Sequence, residues 1–204
     1  MKKSRVTRGF GLLENILARK RSRMANALIP GSLRKGRLLD IGCGVYPYFL
    51  LNTIFNERYG IDQSPGITRS REVSSAGNSL DLRQWDFGRE ADLPFGDDFF
   101  DVVTMLAVFE HIDRTHIGRL VSEIHRVLKK GGLFIITTPA PWTDRLLRLL
   151  ARLKLVSPVE IRDHKDTYSH KKIIRILEGS GFKKENITLG YFEMLMNTWG
   201  KIKK

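Results

Sequence analysis

The sequence predicts an α/β fold in which a mostly parallel sheet is doubly wound, with helices on both faces. Three observations lead there. Short apolar strands alternate with helical stripes from residue 37 onward. The first strand runs into Asp40-Ile-Gly-Cys-Gly44, and a second acid, Asp62, ends the next strand. Such a pair of acids around a glycine turn is how a parallel sheet holds an adenosine-containing cofactor beyond the carboxyl ends of its strands. Finally, Ile117, Leu120, Val121, Ile124, Val127 and Leu128 make one continuous helical stripe.

Taken in order, residues 1–36 form a basic amphipathic arm. Phe10, Leu13, Leu17, Met24 and Leu28 recur near helical spacing beside Arg19, Lys20, Arg21 and Arg23, and Pro30-Gly31 closes the segment. Strand one is Leu38–Ile41, and Pro47 then suits the first turn of a helix running through Phe49, Leu50, Ile54 and Phe55. Strand two is Arg58–Ile61. Ser64-Pro65-Gly66 turns into a short helix, and 74–79 reads as a loop. Strand three is Leu80–Trp85, ending on Asp86, and strand four is Phe99–Leu106. The striped helix is expected to carry Lys129 and Lys130 in its last turn and to stop at Gly131-Gly132, before strand five, Leu133–Thr138. A second amphipathic arm covers Thr143–Val156, helix Lys171–Glu178 follows, and Tyr191–Met196 reads as a closing strand.

The 204 residues can bury one sizeable core, so one domain is expected. No run approaches the ~20 apolar residues that would span a bilayer, and charges interrupt any signal-peptide core near the N-terminus. The one cysteine, Cys43, allows no internal disulfide and fits a reducing, cytoplasmic compartment. It is read as a small turn residue rather than a nucleophile, and no metal site is expected. Net charge is +13, but residues 1–37 hold 11 Lys/Arg against one acid, 38–142 hold 10 against 14, and 143–204 hold 14 against 7. An acidic middle between basic arms suggests a cofactor in the middle and an anionic surface or substrate at the arms.

The turn itself selects the cofactor class. A dinucleotide fingerprint wants glycines at 42, 44 and 47, and position 47 is proline. A pyrophosphate would also meet the like charge of Asp40, whereas a carboxylate there favours a cofactor bearing an ammonium and a sulfonium.

At this point the chain resembles the class I S-adenosylmethionine-dependent methyltransferases, in the type 11 methyltransferase-domain group. The resemblance runs from about Gly36 to Pro139 through Leu38-Leu-Asp-Ile-Gly-Cys-Gly44, Gly60-Ile-Asp62, Asp86-Phe87, Leu93-Pro94-Phe95 with Phe99-Phe-Asp-Val-Val103, and Glu123 through Gly132. It implies a Rossmann-like, seven-stranded, mostly parallel sheet with an antiparallel last strand over residues 37–204. S-adenosyl-L-methionine is the implied cofactor and S-adenosyl-L-homocysteine the product. Asp40, Gly42 and Gly44 would surround the methionine end, Asp62 the ribose, and Asp86 with Phe87 the adenine. One departure is Tyr46, where the family commonly has a third glycine.

Methyl transfer needs a base only when the acceptor must lose a proton, and His111 and His164 are the candidates. The family usually chooses its acceptor with an N-terminal helix and an insertion after strand five, here 1–36 and 141–168. Leu146, Leu149, Leu150 and Leu153 share one face of the insertion, and Arg145, Arg148 and Arg152 the other. A lid over the acceptor is favoured, with docking on anionic lipid as the alternative. The expected activity is methylation of a small-molecule or lipid- or glycan-linked acceptor, in the cytoplasm or peripherally at the inner face of the membrane. A catalytically inactive cofactor-binding partner protein is the other-class alternative. An RNA-directed methyltransferase is less favoured, because no nucleic-acid-binding motif accompanies the charge.

Overall fold

The computed structural model describes residues 14–67, 70–73, 78–86, 90, 92–143 and 167–204. Eight strands form one sheet in the order β3-β4-β2-β1-β5-β6-β8-β7. They are β1 (Arg37–Ile41), β2 (Glu57–Asp62), β3 (Ser70–Val73), β4 (Ser79–Gln84), β5 (Phe100–Leu106), β6 (Leu128–Pro139), β7 (Ile187–Phe192) and β8 (Asn197–Lys203). The central strands β4, β2, β1, β5 and β6 are parallel, while β3, at one edge, and β8 run antiparallel to their neighbours. The mostly parallel, doubly wound sheet is therefore present, with the short edge strand β3 added to the seven expected. Its residues Ser70–Val73 lay in a stretch read as helix and loop, because a polar strand paired on one side only lacks the apolar run that marks buried strands.

Helices cover both faces. On one lie α1 (Glu14–Leu28) and α2 (Tyr48–Leu51), packed through Ala25, Ile29, Phe49 and Leu50 against Leu38, Val102, Leu133 and Ile135. On the other lie α3 (Arg114–Val127) and α4 (His170–Gly179), which bury Ile117, Leu120, Val121, Ile124, Ile173 and Leu177 against Leu39, Val103, Phe134 and Ile136. The alternation of odd and even strand residues between these two cores follows from the two-residue period of a strand. Asp113 starts α3 by accepting the Thr115 N–H at 3.0 Å, and Ser169 caps α4 through the Lys172 N–H.

Three stretches differ from the sequence expectation. α2 is a single turn, because the Asn52 N–H closes back on the Phe49 carbonyl and the chain then turns Phe55 inward, leaving Ile54 in solvent. The α3 helix ends at Val127, and Lys129 to Gly132 belong to β6. There the register against β5 jumps from Phe100↔Leu128 to Val102↔Leu133, and Gly131 at φ +79° carries the bulge. Lys129 consequently reaches Asp101 at 2.8 Å across the sheet instead of decorating a helix end. Lastly, Tyr191–Met196 is no strand of its own. It holds the end of β7 and the tip of the β7–β8 hairpin, where Glu193, Met194 and Leu195 all have positive φ. No glycine or asparagine marks that turn, so the usual signal was missing.

Candidate functional site

The C-terminal ends of β1, β2 and β4 bring Asp40, Asp62 and Asp86 to one edge of the sheet, on strands spaced about 4.8 Å apart. Asp40 pairs with Gly60 of β2 and Thr104 of β5 in the ladder. The Gly42 N–H then donates to the Ile61 carbonyl at 2.8 Å, so the chain leaves β1 still tied to β2. Gly42 and Gly44 adopt φ +76° and +73°, where a side chain would be strained. At Gly42 there is also no room, since a Cβ would stand 2.3 Å from Val108 Cγ2. Val108 is delivered by Ala107, itself left-handed at φ +57° just past the end of β5. Above Gly44 the space is open, the Tyr46 carbonyl at 3.9 Å being the one neighbour of an added Cβ.

The carboxylate of Asp62 organises the turn. Its Oδ2 accepts the Gly44 N–H at 2.9 Å, and its Oδ1 accepts the Ser64 N–H and hydroxyl at 2.8 and 2.6 Å. The Ser64 bond two residues on is an Asx-turn, a local device that holds the carboxylate in place after the strand ends. Asp40 is 4% exposed and accepts the Thr104 hydroxyl at 2.6 Å. Burial pushes its carboxyl up to about 7; the Thr104 bond pulls down, and the nearby charge of Asp62 pushes further up.

Asp86 is half-buried just beyond β4, and the Trp85 N–H donates to the Asp62 carbonyl at 2.9 Å, which holds this corner of the site to β2. Phe87 lies outside the described residues, as do His164 and the leucines and arginines of 144–166. His111 is half-buried in a 3-10 turn, Phe109–His111, reached from β5 through Ala107 and Val108. Its neighbour Glu110 is buried and accepts the Thr138 hydroxyl from β6 at 3.0 Å. Asp40, Gly42, Gly44 and Asp62 are thus brought together at one edge.

Thr104 and Ser64 were not picked out from the sequence. Ser64 carried the Asx-turn signal two residues after an acid. Thr104 had one as well, as the lone hydroxyl in the apolar run Val102-Val-Thr-Met105. Gly60 was seen only as part of a motif. A Cβ there would lie 2.7–2.8 Å from Leu82 Cδ2, Cys43 Sγ and Leu50 Cδ1, so its absence lets α2 and the turn settle onto β2. That close approach is the task a third glycine in the turn performs in dinucleotide folds. Cys43 is buried against this contact, in keeping with a packing residue.

A group suited to this edge carries positive charge, because two acids with interacting charge stand there in a largely buried setting. A pyrophosphate would be repelled. A cofactor with an ammonium and a sulfonium, such as S-adenosylmethionine, suits that charge.

Comparison with known proteins gives the same direction. The family described as "Methyltransferase domain" matches residues 39–136. The chain is similar to the demethylmenaquinone methyltransferase of Symbiobacterium thermophilum, 34% identical over 116 residues that cover 54% of this chain and 45% of the relative. It is also similar to a Mycolicibacterium smegmatis protein named "Probable S-adenosylmethionine-dependent methyltransferase", 30% identical over 157 residues, or 76% of this chain and 54% of the relative. The chain therefore spans about half the length of these curated relatives. A solved S-adenosylmethionine-dependent methyltransferase from Mesorhizobium loti superposes with a TM-score of 0.64 over 92% of this chain and 100% of that one, at 18% identity, which speaks for the fold.

Proposed function

Since the chain belongs to the class I S-adenosylmethionine-dependent methyltransferases, we propose that it methylates a small-molecule or lipid-linked acceptor at the edge formed by Asp40, Gly42, Gly44 and Asp62. The observation that carries this reading is the Asp62 carboxylate bridging Gly44 and Ser64 beside the buried Asp40. When bound, the cofactor supplies a methyl group on a positively charged sulfur, whose bond to carbon breaks as the acceptor's bond to that carbon forms, leaving a neutral thioether.

The residues of the chain act by positioning. Asp40 attracts and orients the positive end, and its ionised form is favoured by the very charge it holds. Asp62, fixed from both sides, presents its carboxylate to the ribose, and Asp86 with Phe87 takes the adenine. Gly42 and Gly44 keep the backbone close enough for this contact. Orientation alone is worth about 7–11 kcal/mol in well-aligned reactions, so no large set of reactive side chains is required. For an acceptor that must lose a proton, a His111 ring nitrogen takes it, with His164 as the second candidate. The N-terminal arm and the 141–168 insertion are assigned to the acceptor side. The similarity to a demethylmenaquinone methyltransferase supports an acceptor of the ring-plus-lipid-tail kind.

Titration calorimetry with S-adenosylmethionine, S-adenosylhomocysteine and NAD tests the cofactor: tighter binding of NAD overturns the reading. Release of S-adenosylhomocysteine with a lipid extract, compared with an aqueous metabolite extract, then assigns the acceptor class. No release with either would remove the enzymatic claim.

A further inference from the structure

The tip of the β7–β8 hairpin is built in an expensive way. Glu193, Met194 and Leu195 are left-handed in succession, at φ 53°, 55° and 67°, and none is glycine. Left-handed backbone at ordinary residues persists only where the surroundings hold it, and such strain gathers at functional places. Here the surroundings do hold it. The Met196 N–H closes on the Glu193 carbonyl at 3.1 Å, the Ala140 N–H takes the Met196 carbonyl at 2.9 Å, and the Trp142 indole N–H takes the Leu195 carbonyl at 3.0 Å. The Glu193 side chain is turned inward and is 5% exposed, held by Asn197 at 2.5 Å and by Lys20 of α1 at 3.3 Å.

Polar groups of the tip are thus drawn in, and its apolar side chains are put out. Met194 is 89% exposed, Leu195 58%, Trp142 55% and Tyr191 45%. Met194, Leu195 and Trp142 sit beyond Pro139 at the end of β6, and Tyr191 lies level with Thr138, on the same sheet edge as the ends of β1 and β2. Aromatic rings with one polar end, such as Trp and Tyr, belong at the boundary between lipid and water.

Positive charge flanks the group on two sides. Lys20, bound to Glu193, shares a helix face with Arg23 and with the exposed Ile16. On the other side His170 stacks on Tyr191 with ring centroids 4.4 Å apart, and Lys171 beside it is exposed. Glu193, the acid of the tip, is neutralised and turned away. Among the described residues no helix is long and apolar enough to cross a membrane, so any contact would be with a surface.

We propose that this hairpin tip, together with Trp142, docks on an anionic lipid bilayer, with Met194 and Leu195 entering the headgroup boundary and the exposed Arg23 and Lys171 flanks meeting lipid phosphates. The inference deepens the proposed function by giving a lipid-linked acceptor a place to leave the membrane beside the cofactor edge, and to that extent rests on it.

The test is flotation of the full chain with vesicles of phosphatidylcholine alone or mixed with phosphatidylglycerol. Wild type is expected to float with the mixed vesicles, less so at high salt, and to stay down with phosphatidylcholine alone. The double variant Met194→Asn/Leu195→Asn suits left-handed backbone and should lower partitioning about tenfold or more. Arg23→Glu/Lys171→Glu should abolish the preference for anionic vesicles.

S-adenosylhomocysteine binding by calorimetry, unchanged in both variants, shows that they are folded. Equal flotation of wild type and the asparagine variant overturns the proposal. Failure of wild type to float while S-adenosylhomocysteine still binds overturns it too, and leaves the methyl-transfer reading standing. A wild-type dimer that the asparagine variant breaks would also overturn it, assigning the face to a second copy.

Discussion

The Thr104 hydroxyl donates a 2.6 Å hydrogen bond to Asp40 from the neighbouring strand, 64 residues away in the chain. That bond favours the ionised carboxylate, while burial and the charge of Asp62 favour the protonated one, and the balance falls at about 7. The cofactor edge therefore changes charge near neutrality.

Cofactor affinity is predicted to rise with pH and to flatten above about 7, with a loss approaching tenfold per unit below it, because a cation selects the ionised Asp40. The fold without ligand behaves in the opposite sense. A carboxyl raised from 3.8 to about 7 contributes stability that is full below its unfolded value and is lost as pH rises through about 7. Calorimetry and thermal melts across this range, with and without S-adenosylhomocysteine, should show the two trends diverging.

Replacing Thr104 by valine removes the hydrogen bond that holds the Asp40 carboxyl down. The midpoint of the affinity profile should move upward, with little change in affinity well above it. A profile that stays in place would show that Thr104 serves the strand and leaves the charge alone.

Gly42→Ala should cost about 1–3 kcal/mol, for two reasons that can be separated. The added Cβ meets Val108 at 2.3 Å, and φ +76° is strained for alanine. Adding Val108→Ala relieves the first cause and keeps the second, so the double variant should melt between the single variant and wild type.

Asp62→Asn keeps the shape but turns one acceptor oxygen into a donor, which then faces the Gly44 N–H or Ser64. Affinity for S-adenosylhomocysteine should fall about 10- to 100-fold through lost charge-assisted bonds. Binding by calorimetry at near-neutral pH checks this.

Asp101→Asn provides the contrast. Its carboxylate accepts the Arg37 N–H and pairs with Lys129, each at 2.8 Å, where β1 begins and far along that strand from its C-terminal acid. It should lower the melting temperature by a few degrees, about 1 kcal/mol, and leave cofactor affinity unchanged.

Much of this was legible locally. Short apolar stretches such as Leu38-Leu39 and Val102-Val103, and the acids at or near the strand ends, let β1, β2 and β5 be found, and the α3 stripe was plain. What could not be read depended on partners remote in the chain. Thr104 becomes a site residue because β5 lies beside β1, and the Gly131-Gly132 pair becomes a bulge because β6 must match β5 on one side and β8 on the other. As a sequence signal, two glycines after a helix stripe fit a helix stop equally well. The hairpin tip hid itself by using Met194 and Leu195 where turn residues were expected.

The missing side chain at Gly60 has a consequence for the whole corner of the sheet. Because β2 supplies the clearance, α2 through Leu50 and the turn through Cys43 rest directly on the strand that ends in Asp62. Alanine at 60 would meet Leu82, Cys43 and Leu50 at once, so one added methyl group would wedge the seat on which the turn and its acid are held in common.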